Sequence, residues 1–513
     1  VFAYISRRIG AAIIVLFGST FILFNLEAIS GDPLQDLRTS TSPTAKTQLH
    51  DLIRTLHLNV PAPARYFIWL KGVLKVFTGH IDLGTDRQST PIPTVLGTAI
   101  PTTIRLVLAA TILAIVLGIA IGIISALRQY SRFDYFMIFV SFFLYSLPIF
   151  WVAVLLKQFL AISFNNFLVN GHIGLWFIVI MSLISGIFWA GVFSGTRKRV
   201  FTIFSVVALV NALVLWTLSV TKWFTHPRLG IEGIFLFGIA IAFAVTLVST
   251  GLENRNALKA SLTMALVGTI LYFPAEHILH TKGSLFLILV FAVVTFAVAT
   301  LNGRLWSKID QGPIVRSSNL TAFFIAILIL FDEMMHNWVH YINTDAVNGR
   351  PISTIGQSNT QLPPGHFWYN VIDTATHLFL PTIALTLISF AGYVRYSRGT
   401  MLEVLNQDYI RTARAKGLTE RTVVMRHAFR NTMIPLTTII ALDFAGIIGG
   451  ATITETVFGW TGMGKLFVNA IYSFDENLLM ATFLITSILV LLATLLSDLL
   501  YGALDPRIKV GGN

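Results

Sequence analysis

An all-α, polytopic transmembrane helical bundle of about twelve spans is the fold class that this sequence predicts, and three observations predict it. Hydrophobic residues make up 55% of the 513 residues, charged residues only 12%, and mean hydropathy is +0.75. A soluble chain of this length would carry about twice that charge. Apolar runs of roughly 18–20 residues recur along the chain, each long enough to cross about 30 Å of hydrocarbon. The short alternating segments of an outer-membrane barrel are not seen.

The elements follow in order. Arg7 and Arg8 precede an apolar run from Ile9 to about Leu26. That run has the flank of a signal peptide but is long and lacks a small-x-small cleavage site, so it reads as an uncleaved first span over 9–29. Residues 30–99 are polar and hold Pro33, Pro61, Pro63, Pro91 and Pro93. Within them "ARYFIWLKGVLKVF" has apolar residues at helical spacing, the pattern of an amphipathic helix lying at the outer surface. Further spans fall at 100–127, 134–163, 174–194, 199–220, 230–250, 257–276, 284–301, 319–333, 376–396, 432–454 and 479–503. The run at 319–333 is short because Asp332 and Glu333 interrupt it.

Orientation follows from Lys and Arg in short loops. With Arg7 and Arg8 inside, Arg128, Arg132, Arg197–Arg199, Arg255, Lys259, Arg304, Lys308 and Arg316 also fall inside. So do Arg411, Arg414, Lys416, Arg421, Arg426 and Arg430. The other side carries few: Lys222, Arg228, Lys282 and Arg350. Both termini are therefore expected on the cytoplasmic side of the membrane. The net charge of +12 reports this topology, and no basic stripe interleaved with aromatics suggests nucleic acid. Cys is absent, which excludes disulfides and thiolate metal sites.

Topology does not explain the residue order in one internal loop, "QDYIRTARAKGLTERTVVMRHAFRNTMIP". That loop resembles the cytoplasmic loop of dipeptide/oligopeptide ABC importer permeases, a divergent form of the importer "EAA…G" signature. Arg411 and Thr412 replace the Glu and first Ala, Ala413 matches the second Ala, and Gly417 matches the Gly. "SRRIGAAIIVLFGSTFILFNLEAISGDP" resembles the first span of the same family. "PTTIRLVLAATILAIVLGIAIGIISALRQYSRFDYFMIFVSFFLYSLPIFWVAVLL" resembles its second and third. "GGATITETVFGWTGMGKLFVNAI" resembles the segment after its fifth span, and "YGALDPRIK" its C-terminus.

The resemblance covers roughly 1–170 and 370–513. It implies a six-span core in two halves, 1–170 (with the extracytoplasmic region 30–99) and 371–513 (with the coupling loop 399–431). Residues 171–370 form an inserted transmembrane region of about six spans, and an even number keeps both flanks on one side. The implied function is a permease subunit of an ATP-driven importer of di- or oligopeptides. Its implied partners are a second permease in a heterodimer, two ATP-binding cassette ATPases, an extracytoplasmic substrate-binding protein and the lipid membrane. No P-loop G-x-x-x-x-G-K-[ST] occurs, and "GWTGMGKL" fails its spacing, so ATP and Mg are expected in the partners and no cofactor or catalytic residue in this chain. Import of nickel or another chelated metal is the alternative within the class. Outside it stands an ATP-independent scaffold or regulator with a degenerate permease core.

The coupling loop is assigned to Ala413, Arg414, Ala415, Lys416, Gly417, Leu418, Thr419 and Glu420. It needs a short rigid helix, a Gly that permits close backbone approach or a bend, and Thr419 as a cap for the helix that follows. Ala413, at i−4 from Gly417, is expected on the same contact face. Asp443 is an intramembrane carboxylate that either lines a translocation path or bonds a neighbouring helix. Glu455 and Pro148 are further pathway candidates, with Pro148 read first as a kink. Eleven of the twelve His residues fall on the outer side. Glu333/His336/His340 and Glu276/His277/His280 have metal-compatible spacing, but polar outer loops that avoid Lys and Arg accumulate His anyway, and no metal site is assigned. The sequon-like "NLT" at 319–321 is read as chance.

Overall fold

The computed structural model describes residues 2–79, 81–193, 195–307 and 311–504. Lys308 and most of the "YGALDPRIK" stretch lie outside these described residues. A helix stands at the position of every predicted span. Among the described residues ten helices are long and apolar enough to cross a bilayer singly, and a helix pair bent by 51°, Arg255–Ile270 with Tyr272–Lys282, passes the same test together as a broken span or a re-entrant loop. Among the described residues there is no strand, only an isolated bridge between Thr85 and Pro91. Contacts divide the chain into two compact units, residues 1–160, 354–357 and 378–513, and residues 161–353 and 358–377.

The first unit begins with α1 (Phe2–Ser30), then α2 (Gln35–Thr39), α3 (Ala45–Thr55), α4 (Ala62–Leu74), α5 (Ile92–Leu127), α6 (Arg132–Ser146) and α7 (Ile149–Leu156). Pro61 precedes α4 with its φ already near the helical value, so the helix starts there. α4 is the amphipathic helix that the spacing predicts, and one face of it docks on α1. Arg65, Tyr66, Trp69 and Gly72 are its buried residues. The Tyr66 ring meets Phe17, Phe21 and Phe24 of α1, and its hydroxyl lies 2.9 Å from Thr20 Oγ1.

The second unit holds α8 (Ser163–Asn170), α9 (Leu175–Phe193), α10 (Arg197–Val220), α11 (Gly230–Ser249), α12 (Arg255–Ile270), α13 (Tyr272–Lys282), α14 (Leu285–Trp306) and α15 (Gln311–Ile342). The core of α11, α12, α14 and α15 is built on small residues. Ala242 and Ala265 pack with Ile325, Ala257 and Ala260 with Ile314, and Met264 with Ala299 and Ala322. Lipid tails are as apolar as Leu, so such helices associate by close backbone approach and by hydrogen bonds across the seam. Asn302 supplies two, donating to the Ala260 carbonyl and to Ser318 Oγ, each 2.9 Å. Asn319 of the sequon-like triplet accepts from Thr300 Oγ1 within the same packing, 3.2 Å.

The short predicted span at 319–333 is corrected by α15, which runs unbroken through its two acids. Both are buried, at 1% exposure each. Asp332 accepts from the backbone N–H groups of Leu229 (2.6 Å) and Gly230 (3.2 Å) at the start of α11, and from the Tyr272 hydroxyl. It satisfies donors that a helix N-terminus leaves open. Glu333 Oε1 accepts from Asn337 Nδ2 at 2.7 Å.

α16 (Phe367–Leu405) has its first residues in the second unit and the rest in the first. The first unit then continues through α17 (Asp408–Ala415), α18 (Glu420–Thr422), α19 (Phe429–Gly450), α20 (Thr452–Phe458), α21 (Met463–Ser473) and α22 (Glu476–Leu504). The polar region after α1 is pinned to the start of α22. Arg65 donates to Glu476 Oε1 (2.7 Å), the Arg87 N–H donates to Asp475 Oδ2 (2.9 Å), and Asn477 donates to the Thr85 carbonyl (3.1 Å). The Phe474 ring occupies the space a Cβ on Gly31 would need, the reason for Gly in "GDP".

α5 and α16 cross closely. A Cβ on Gly118 would collide with Tyr393, and one on Gly122 with Ser397 Oγ and, at 2.7 Å, the Val394 carbonyl. Gly118 and Gly122 form the G-x-x-x-G spacing of close membrane-helix contacts. Gly97, on the same helix, has open space where a Cβ would stand. Gly122→Leu should therefore force the two helices apart and destabilise by roughly 1–3 kcal/mol, as overpacking does. Gly97→Ala should be neutral or stabilising. Thermal unfolding of the detergent-solubilised protein separates the two outcomes.

Candidate functional site

The basic loop is a small folded element seated on the ends of α5 and α16. After Leu405 the chain turns, and α17 starts with Asp408, an acid that suits the positive end of a helix. Its eight residues bury only Ile410 and Ala413. These two pack with Val423, Val424 and Ala428, the returning arm of the loop, against Ala126 of α5 and Met401 of α16. The 423–428 stretch is a wide π turn that carries those three buried residues to one side.

α17 ends in a Schellman turn. The Gly417 N–H donates to the Arg414 carbonyl (3.0 Å) and the Leu418 N–H to the Ala413 carbonyl (3.4 Å). Gly417 has φ +76°, and nothing stands within 4 Å of where its Cβ would be. Within this chain the glycine is required by the left-handed turn, not by crowding. Thr419 caps the next helix as its position predicts, accepting from the Thr422 N–H at 3.4 Å. Arg414 spans the turn with two hydrogen bonds to Glu420, Nε to Oε2 at 3.2 Å and Nη2 to Oε1 at 2.7 Å. That guanidinium holds the Glu420 carboxyl below its ordinary range.

Seven of the eight assigned loop residues are exposed: Arg414, Ala415, Lys416, Gly417, Leu418, Thr419 and Glu420. Ala413 is the correction. It is buried in the loop's own core and does not share an outer face with Gly417. The i,i+4 rule fails there because Gly417 lies beyond the end of α17, where the helical rotation has stopped. The projecting crown is therefore polar and basic, with the exposed side chains of Leu418 and Met425 upon it.

The other candidates are placed as follows. Asp443 of α19 accepts from the Tyr393 hydroxyl of α16, so the interhelical bond is the geometry seen. Glu455 is fully buried and accepts from Thr103 Oγ1 (2.6 Å) and the Lys465 N–H (2.8 Å). Thr103 in turn accepts from the Met463 N–H at 2.8 Å, so Glu455 ties α20, α5 and the start of α21 together. This geometry assigns Glu455 a structural tie. Pro148 stands between α6 and α7, where the backbone leaves the helical region, so the predicted third span is two helices. The two His/Glu patterns interleave: His280 Nδ1 lies 3.0 Å from Glu333 Oε1, and His336 Nδ1 lies 3.3 Å from Glu276 Oε1. His340 is exposed. No three such side chains among the described residues converge on a point that could hold a metal ion.

Sequence reasoning missed Arg395 and Arg398. Arg398 donates to both oxygens of Asp134, and Arg395 lies over the Tyr145 ring. The signal was available, since ionisable residues at the edge of a span must find partners.

Residues 285–510 match the family described as "Binding-protein-dependent transport system inner membrane component". That match begins within the second unit, whereas the sequence division starts the second core half at 371. The relatives that the chain is similar to are named as peptide transport permeases. The chain is 40% identical over 188 residues to "Oligopeptide transport system permease protein OppB" of Mycobacterium bovis, covering 37% of this chain and 55% of that protein. It is 45% identical over 141 residues to "Oligopeptide transport system permease protein AppB" of Bacillus subtilis, covering 28% and 45%. It is 45% identical over 140 residues to "Dipeptide transport system permease protein DppB" of Escherichia coli, covering 27% and 41%. The chain thus spans about half the length of the curated relatives it matches.

The loop turn gives a direct test. Gly417→Ala must hold a Cβ residue in the left-handed region, at a cost of roughly 1–2 kcal/mol. Gly417→Asn should be milder, because Asn tolerates that conformation. Hydrogen exchange at Gly417 and Leu418, the two N–H groups that close the turn, should quicken in the Ala variant and less in the Asn variant. Equal protection in all three proteins would contradict the turn.

Proposed function

We propose that this chain is the transmembrane permease subunit of an ATP-driven importer that moves di- or oligopeptides into the cell by alternating access. One observation carries the reading: the loop at 408–428 is a preformed, outward-facing element fixed to the ends of two long helices. A rigid knob on such a mount can pass a partner's displacement to the helices behind it. The partner of that knob is an ATPase subunit, and two of these bind and hydrolyse ATP with Mg. A second permease completes the pore, and an extracytoplasmic binding protein delivers the peptide. The relatives' names favour peptide over chelated metal as cargo.

The loop, and with it both termini, is on the cytoplasmic side of the plasma membrane in this reading, from the Lys/Arg asymmetry. Residues 171–370 are an insertion into a six-span core. Single-Cys labelling tests the orientation, because the chain has no native Cys. A Cys at Ser358 should react with an impermeant reagent in intact cells. Reaction only after permeabilisation would reverse the topology.

The function itself is tested in vesicles that hold the chain with its ATPase partners. Gly417→Arg places a bulky side chain on the crown and should leave assembly in the membrane intact while abolishing substrate-stimulated ATP hydrolysis and peptide uptake together. Gly417→Asn separates that clash from the turn's own strain, and it should couple. Arg414→Lys loses the forked bond to Glu420, but that pair is exposed and is worth about 0–1 kcal/mol. It should transport nearly as wild type. Wild-type coupling in Gly417→Arg at normal expression would sink the reading.

A further inference from the structure

α6 is a helix with little to hold it. It buries only Phe133, Asp134, Met137 and Ser141, while Tyr135, Phe136, Phe139, Phe142, Phe143 and Tyr145 are exposed. Two arginines one turn apart on α16 reach across and grip both its ends. In its first turn, Asp134 accepts from Arg398 Nε at 2.7 Å and Arg398 Nη2 at 3.0 Å. Asp134 is 1% exposed and also accepts from the Ser125 hydroxyl of α5 and from the Tyr130 N–H at 3.0 Å. In the last turn of α6, the Arg395 guanidinium lies 3.9 Å from the Tyr145 ring centroid and 5.7 Å from that of Phe142. A forked, buried pair fixes direction as well as distance, which a lysine or a lone apolar contact does not.

The position of this grip matters. Arg398 sits two turns before the end of α16, just ahead of Met401, which is part of the loop's own seat. The far end of α6 is Leu147–Pro148, where ψ is 127° and 136° and the helical hydrogen-bond ladder is interrupted. A helix held rigidly in its first and last turns, with a break just beyond the last, is the layout of a lever on a joint.

We propose that Arg395, Arg398 and Asp134 are positioning residues that make α6 move as one body with the loop-bearing end of α16, and that Leu147–Pro148 is the joint at which this motion is released. The proposal rests on the coupling reading of the loop. Displacement of the loop carries the end of α16, the arginines carry α6, and α7 beyond the joint keeps its own packing. Arg398→Gln removes the fork and leaves Asp134 a buried charge without its partner. Arg398→Lys keeps the charge but not the fork.

The experiment uses the full chain with its ATPase partners in vesicles. Spin labels are placed on Cys pairs at exposed positions, Tyr135/Glu403 across the grip and Tyr135/Phe150 across the joint. Between the resting and ATP-trapped states, the 135/403 distance should stay constant and the 135/150 distance should change. Arg398→Gln should broaden the 135/403 distribution and cut peptide taken up per ATP by about tenfold, within the range of ordinary coupling energies. Arg398→Lys should fall between, and the swap Asp134→Arg with Arg398→Asp should recover part of the loss. A 135/403 distance that changes as much as 135/150 in the wild type overturns the proposal, with or without the variants. So does wild-type stoichiometry in Arg398→Gln. Where Gly417→Arg couples normally, the loop reading has failed. Where Gly417→Arg uncouples and Arg398→Gln does not, only the lever has.

Discussion

The contact between α5 and α16 at Gly118 and Gly122 is the constraint on which the first unit's working part depends. Because neither position carries a Cβ, the α16 backbone at Val394–Arg398 can lie directly on α5. Ser397 Oγ then reaches the Gly118 carbonyl at 3.2 Å. That approach brings Tyr393 within reach of Asp443, and it packs Ala114 and Ile119 of α5 with Tyr393 and Leu436. It also sets Ala126 and Met401 side by side as the loop's seat. A wider spacing would dismantle the seat without touching a residue of the loop.

Three buried carboxylates act as fasteners between helices. Glu455 joins Thr103 to the start of α21, Asp332 closes the N-terminus of α11, and Asp134 receives Arg398. In an apolar surround an unpaired donor or acceptor costs more than in water, so each such group favours one register of its helices. The apolar surface that surrounds them is interchangeable by comparison, since lipid can replace a neighbouring helix there.

The spans were legible in the sequence because each is a long apolar run, and the bilayer imposes that length on every one of them. What hydropathy hides is where a charged residue finds its partner. Asp332 and Glu333 shorten the apparent span, yet α15 continues past both: α11 and α13 engage Asp332, and α13 and α15 itself engage Glu333 Oε1. For the same reason Glu455 reads in sequence as exposed to a path and is instead fully enclosed. In the loop, Thr419 and Gly417 could be read from capping and turn chemistry, which act within a few residues. The inward face of Ala413 could not, since it depends on Met401 and Ala126 from distant parts of the chain.

The structure also changes the physical reason for the glycine in the loop. Close approach by another protein would explain Gly417 only in a complex, but the left-handed turn requires it in this chain alone. With two backbone bonds closing that turn, Thr419 capping the next helix and Arg414 bridging to Glu420, the loop's shape is set before any partner arrives. A preformed element loses little conformational freedom on docking, so more of the contact energy is left to move what lies behind it. In the proposed coupling role, a floppy loop with the same charges would absorb a partner's displacement instead of passing it on. Ile410, Ala413, Val423, Val424 and Ala428 keep the element on its seat, which leaves the outward side chains free of any packing duty within this chain.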